Sequence, residues 1–222
     1  MFTDREDAGR QLAKKLERYR GGNGIVLALP RGGVPVGYEV ARALKLPLDI
    51  IAVRKIGHPS SPEYAIGAVD EKGTTILNET ETAALDQGFL SEEIERQKKE
   101  AERRSTVYRE KRMPVDLAEK IAIIVDDGIA TGLTMRLAVR SVKAQKPKKI
   151  IVAVPVAPSE SLRLLKEEGV EDILVLEPPE EFMGAVGAHY ARFEQVKDEE
   201  VIRLLQSTYG TRNKDTGFSC ST

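Results

Sequence analysis

The chain has 222 residues, 34 Lys and Arg against 35 Asp and Glu, a formal net charge of -1, 41% hydrophobic residues and 31% charged residues. That composition belongs to a globular protein with a sizeable core, and the balanced charge argues against a nucleic acid backbone or an anionic membrane as the main partner. The lone cysteine, Cys220, excludes an intrachain disulfide and argues against a structural zinc site, so with no apolar run of membrane-span length the expected location is the cytoplasm.

Strand-like and helix-like segments alternate almost throughout, which predicts an α/β fold with a central, mainly parallel sheet of about five strands flanked by helices. A first helix is predicted over 4–20, with Ala8, Leu12 and Leu16 as its buried stripe, and Gly21 and Gly22 stop it. A strand at 25–29, a helix at 36–44 and a strand at 46–53 make one βαβ unit. Residues 57–120 read as an insertion, with a hairpin of 64–69 and 74–77 about the turn 70–73. Ser91 is the expected N-cap of a long charged helix to Arg112, with Glu92 and Glu93 in its first turn and Lys111 in its last. Its thin apolar stripe reads as a mostly solvated face. A strand at 121–125, a helix to 144 and a strand at 150–156 form a second unit, joined through the solvated run 146–149. A helix at 159–168, a strand at 173–176, a break at Pro178 and Pro179 and a helix at 198–205 follow. One domain over 1–205 is expected, comprising the insertion and a small hood at 173–197, with a polar tail of little fixed structure at 206–222.

The most informative stretch is IAIIVDDGIATGLTM, residues 121–135. A strand buried on both faces would deliver Asp126 and Asp127 at its carboxyl end, the edge where open α/β sheets bind ligands. The compact residues Ala130, Thr131, Gly132, Leu133 and Thr134 then round a turn into a helix whose free amides suit a phosphate. Carboxylates suited to sugar hydroxyls beside an amide nest describe a pocket for a sugar phosphate. A haloacid-dehalogenase-type phosphatase would need its acids spaced by one residue, and a response-regulator receiver would need a separate phosphoacceptor Asp. The bland alternative is a helix entry with the acids merely capping amides.

This segment resembles the phosphoribosyl pyrophosphate signature of type I phosphoribosyltransferases, with Gly128 in place of the usual aliphatic residue after the acidic pair. The resemblance implies that Asp126 and Asp127 take the ribose hydroxyls and that residues 130–134 wrap the 5′-phosphate. The run LALPRGGVPVG is similar to the family's pyrophosphate loop, through Arg31, Gly32 and Gly33, and implies a cis bond between Pro30 and Arg31. The Arg-Gly-Gly form looks most like bacterial purine enzymes. VRKIGHP is similar to the family's basic dipeptide, Arg54 and Lys55, followed by a mobile lid from Ile56 that includes His58 and Glu63. The segment 178–193 looks like a hood, with Phe182 stacking on a base. His189, beside Tyr190 in an apolar segment, reads as a hydrogen-bonded structural residue.

The implied activity is transfer of a phosphoribosyl group to a small-molecule base, purine slightly favoured, with magnesium bound mainly through the substrate and no confident protein ligands for it. Arg31, Arg54, Lys55, Asp126, Asp127 and Glu63 form the implied catalytic set. Hypoxanthine-guanine enzymes carry an Asp where this chain has Ala130, so a lid group, Glu63 or His58, is the substitute for proton transfer. A homodimer is left open. The alternative from another class is a phosphoribosyl pyrophosphate-binding regulator without catalysis, using the insertion as its partner surface.

Overall fold

Runs that are apolar at every position demand burial on both faces. The computed structural model, which describes residues 1–110 and 112–210, places those runs in one sheet. Helix α1 (Arg5–Lys15) starts at Asp4, whose carboxylate accepts the Asp7 amide. It stops well short of residue 20, and a short 3₁₀ turn at Glu17–Tyr19 follows. Strand β1 (Gly24–Ala28) leads into α2 (Gly33–Leu44) and then β2 (Leu48–Ile50).

The expected strand at 46–53 is two strands in two sheets. The Val53 amide donates back to the Ile51 carbonyl, a tight turn that ends the pairing of β2 and starts β3 (Val53–His58) on a new course. Strands β3, β4 (Ser61–Asp70) and β5 (Thr75–Leu77) form an antiparallel sheet of their own, in the order β3-β4-β5. The short α3 (Glu79–Thr82) and the long α4 (Gln87–Arg109) follow. Ser91 is inside α4, its hydroxyl donating to the Gln87 carbonyl, and the N-cap is Asp86, whose carboxylate accepts the Phe89 amide. The helix ends before Arg112, with Glu110 left-handed at its C-terminus, and Lys111 lies outside the described residues.

The second half is regular: β6 (Ile121–Val125), α5 (Leu133–Lys143), β7 (Lys149–Val154), α6 (Ser159–Glu167) and β8 (Asp172–Val175). Ser159 is the first helical residue of α6 rather than its cap. Helix α7 (Asp198–Gly210) continues past residue 205, so the start of the expected loose tail is helical, while 211–222 lie outside the described residues.

The main sheet is parallel, in the order β2-β1-β6-β7-β8. Alternation along its strands divides the core. Val26, Ala28, Ile123 and Val125 pack with Leu12 of α1 and Leu16 just past its end, Val36 and Val40 of α2 and Val201 of α7. Ile25, Leu27, Ile124 and Val152 face Leu137 and Val139 of α5, with Val53 and Ala68 of the small sheet. Each Val, Leu or Ile side chain among them contributes roughly 1.5–3 kcal/mol by leaving water. The consequence for function is positional: β1 and β6 are neighbours paired Ala28 to Val125, so the turns leaving both strands emerge side by side.

Candidate active site

The two turns are pressed together. A Cβ built on Gly33 would meet the Asp126 Cα at 2.9 Å, and one on Gly32 would lie 2.0 Å from Asp127 Oδ2. At Gly33 the neighbours are largely backbone and leave no room for a side chain, while at Gly32 any side chain would have to displace the Asp127 carboxylate. The bond between Pro30 and Arg31 is cis, as expected. Asp126 Oδ1 accepts the Asp127 amide at 2.9 Å, Tyr190 donates its hydroxyl to the Asp127 carbonyl at 2.6 Å, and Arg5 Nε donates to Asp127 Oδ2 at 2.7 Å. Burial, then the Asp127 charge beside it, pushes the Asp126 carboxyl well above the usual carboxylate range. Burial also raises Asp127, while the Arg5 guanidinium pulls the other way.

The loop of Ala130, Thr131 and Gly132 is open to a ligand on one side and supported on the other. Ala130 and Thr131 are exposed, and Thr134 in the first turn of α5 is half-buried. Beneath them, Ser161 of α6 donates to the Ala130 carbonyl at 2.8 Å and its Cβ would crowd any side chain at Gly132, whose φ is +80°. Helix α5 buries Leu133 and Met135 and has no side-chain N-cap, which leaves its first amides to other partners. Gly128 has a packing cause: a Cβ there would come within 2.5 Å of Val186 Cγ1 and 2.8 Å of Val156 Cγ2. The C-terminal segment occupies the space that an aliphatic side chain would need.

A cationic group gathers beyond the glycine loop. Arg31 pairs with Asp198 at the start of α7 at 3.3 Å, and the same carboxylate accepts from Tyr108 at 2.7 Å and from Arg103 at 3.0 Å, both on α4. Burial, then the nearby Arg104 and Arg31 cations, lowers the pKa of the Arg54 guanidinium, which donates to Gln97 at 3.0 Å. Glu100 holds Arg103 and Arg104 and is kept ionised down to about 2, through the Arg103 hydrogen bond first. Burial and the bond to Asp198 push the Tyr108 hydroxyl up to about 12. Four arginines against two carboxylates leave the group net positive. Lys55 lies beside Arg54 on β3, half-buried and engaged. These two residues therefore belong to the first strand of the small sheet and not to the end of a main-sheet strand.

The lid region is regular structure. Positions 57–73 run through β3, β4 and the turn into β5, tied to the body where Ser141 of α5 donates to the buried Asp70 carboxylate at 2.7 Å. His58 sits at the hairpin end, its Nδ1 accepting the Ser60 amide at 3.2 Å. The Glu63 side chain lies outside the described residues. In the hood, Phe182 stacks on His189 with centroids 5.4 Å apart and packs in a cluster with Phe2, Val156 and Tyr190. His189 is buried, accepts the Met183 amide on Nε2 and donates from Nδ1 to Glu177, the structural role expected of it.

Sequence reasoning missed Arg5, the arginines of α4 and Asp198. Arg5 carried a signal: a cation in the first turn of a helix opposes the helix dipole, so another partner must select it. Helix α4 was hidden because its buried face is polar: Glu93, Gln97 and Arg104 lie beside Leu90, Ala101 and Tyr108.

Comparison with known proteins places the chain in a family. The phosphoribosyl transferase domain model matches residues 2–171, and the chain belongs to that family. A curated protein of Mycobacterium tuberculosis, named "Putative phosphoribosyl transferase" in two strains, is 40% identical over 211 residues. Those residues are 94% of this chain and 47% of the relative, so the chain spans about half the length of the curated relatives it matches. The crystal structure of TT1426 from Thermus thermophilus is 40% identical with a TM-score of 0.75, covering 93% of this chain and 98% of that one. Among the described residues, no helix is long and apolar enough to cross a membrane.

Proposed function

We propose that this protein binds phosphoribosyl pyrophosphate and transfers its phosphoribosyl group to a nitrogenous base, releasing pyrophosphate. The observation that carries the reading is the contact of the Gly32-Gly33 turn with Asp126 and Asp127. It supports the reading by setting the turn that carries Arg31 directly against the strand end that carries Asp126 and Asp127 and leads into the 130–134 loop.

In this reading the bond from the anomeric carbon to the pyrophosphate oxygen breaks as a nitrogen of the base approaches, through an oxocarbenium-like state. Arg31, Arg54 and Lys55 stabilise the charge that builds on the leaving group, and Arg104 adds to the same field. Asp126 and Asp127 orient the ribose, and Ala130, Thr131, Gly132, Leu133 and Thr134 hold the 5′-phosphate. Magnesium, carried mainly on substrate oxygens, would supply further neutralisation of the phosphates when bound. The proton of the nucleophile falls to Glu63 or His58. Phe182 bounds the base side, and the Arg-Gly-Gly form of the loop favours a purine.

Incubating the protein with phosphoribosyl pyrophosphate, magnesium and a panel of bases, and reading pyrophosphate release and nucleotide mass, tests the assignment. Turnover with at least one base is expected. Tight ligand binding with no release on any base would replace the enzyme by a non-catalytic binding protein.

A further inference from the structure

Asp127 is gripped at one oxygen from two sides. Oδ2 accepts Arg5 Nε at 2.7 Å and is the atom that sits in the notch left by the missing Gly32 side chain. Arg5 is itself fixed: its guanidinium lies 3.8 Å above the centre of the Phe193 ring, and Nη1 donates to the Glu194 carbonyl at 2.7 Å. Both partners are largely buried, with side-chain exposures of 12% and 14%, so solvent screens the pair little. A guanidinium that stacks on a ring while donating in two directions fits Arg and not Lys.

We propose that Arg5 is a positioning residue of the ribose site, its guanidinium clamping Asp127 Oδ2 into the Gly32 notch so that the carboxylate stands ready for a sugar hydroxyl. The inference rests on the phosphoribosyl reading and goes beyond it by giving α1 a part in the site. The clamp also counters burial, which alone would favour the protonated acid. The titratable groups facing the pair are Asp126 beside it and Tyr190 from the C-terminal segment. On the Arg5 side, a cleft between α1 and α7 adds Asp4, Glu6, Arg192, Glu194 and Glu200.

Two measurements on Arg5→Gln and Arg5→Lys test this. The first is a carboxyl carbon NMR titration of Asp127 without ligand. The second is calorimetry with phosphoribosyl pyrophosphate and magnesium from about pH 5.5 to about 8.5, a range that brackets neutrality. Arg5→Gln is expected to move the Asp127 titration upward, weaken binding about tenfold at neutral pH and shift the pH profile of affinity upward, while Arg5→Lys recovers part of the loss. An Asp127 titration unmoved in both variants overturns the inference, as does tighter binding by Arg5→Gln, which would make Arg5 a competitor of the ribose. If the wild-type protein binds no phosphoribosyl pyrophosphate, the proposed function falls, and the ligand-free titration still decides whether Arg5 governs Asp127.

Discussion

Gly32 and Asp127 touch: the Cβ of any other residue at position 32 would lie 2.0 Å from Asp127 Oδ2. The two turns of the site are therefore one unit, and neither can be altered without moving the other. Gly32→Ala should push the Asp127 carboxylate away from Arg5 while leaving the sheet intact. Affinity for phosphoribosyl pyrophosphate should fall by about tenfold or more, roughly 1.4 kcal/mol, with an unchanged circular dichroism spectrum. Wild-type affinity in Gly32→Ala would mean that the contact does not shape the site.

Asp126 should cost stability for the sake of its position. A carboxyl raised above its ordinary value of 3.8 binds its proton more tightly folded than unfolded, so stability falls as pH rises from that value through the raised one. Asp126→Asn keeps an acceptor for the Asp127 amide and removes the charge. The variant should melt about 2–4 °C above wild type at about pH 7.5, with a smaller gain at about pH 5, in calorimetric scans. A melting point equal to or below wild type at the higher pH would contradict the assigned direction.

Much of this arrangement is legible in the residues, and the gaps have physical causes. Strand β6 lies where its unbroken apolar run places it, and Ala8, Leu12 and Leu16 are fully buried as their spacing implies. The run 46–53 misleads because it is mostly apolar and buried on both sides of the bend, so hydrophobicity carries no sign of the turn at Ile51 that sends β3 into another sheet. Ser91 looks like a cap because Glu92 and Glu93 follow it, yet Asp86 begins the helix a turn earlier. A long-range pair such as Arg31 with Asp198 leaves no local pattern, and the ill-placed charge of Arg5 at the start of α1 signals a partner without naming Asp127.

Asp198 stands as an internal anion among Arg31, Arg103 and Tyr108. Asp198→Asn should raise the positive potential of the cationic group and tighten binding of free pyrophosphate by several-fold, with steeper salt dependence, while costing about 1 kcal/mol of stability. Competition calorimetry at two ionic strengths reads this. Weaker pyrophosphate binding in the variant would show that Asp198 orients Arg31 for the ligand rather than competing with it.

Gly128→Val, which restores the aliphatic residue usual in the signature, should destabilise this chain by about 1–3 kcal/mol through overpacking against Val186 and Val156. Val186→Ala in the same chain should recover part of the loss. Denaturant titration of the single and double variants measures both, and additive losses would place the cause elsewhere than in the Val186 contact.

The central claim is that Asp126 and Asp127 recognise the ribose of phosphoribosyl pyrophosphate. Calorimetric titration of that ligand with magnesium into wild type and into the Asp126→Asn, Asp127→Asn double variant tests it most directly. The account predicts clear binding to wild type and a loss of about a hundredfold, roughly 2.7 kcal/mol, in a double variant that remains folded. Equal affinity in the two proteins would contradict it.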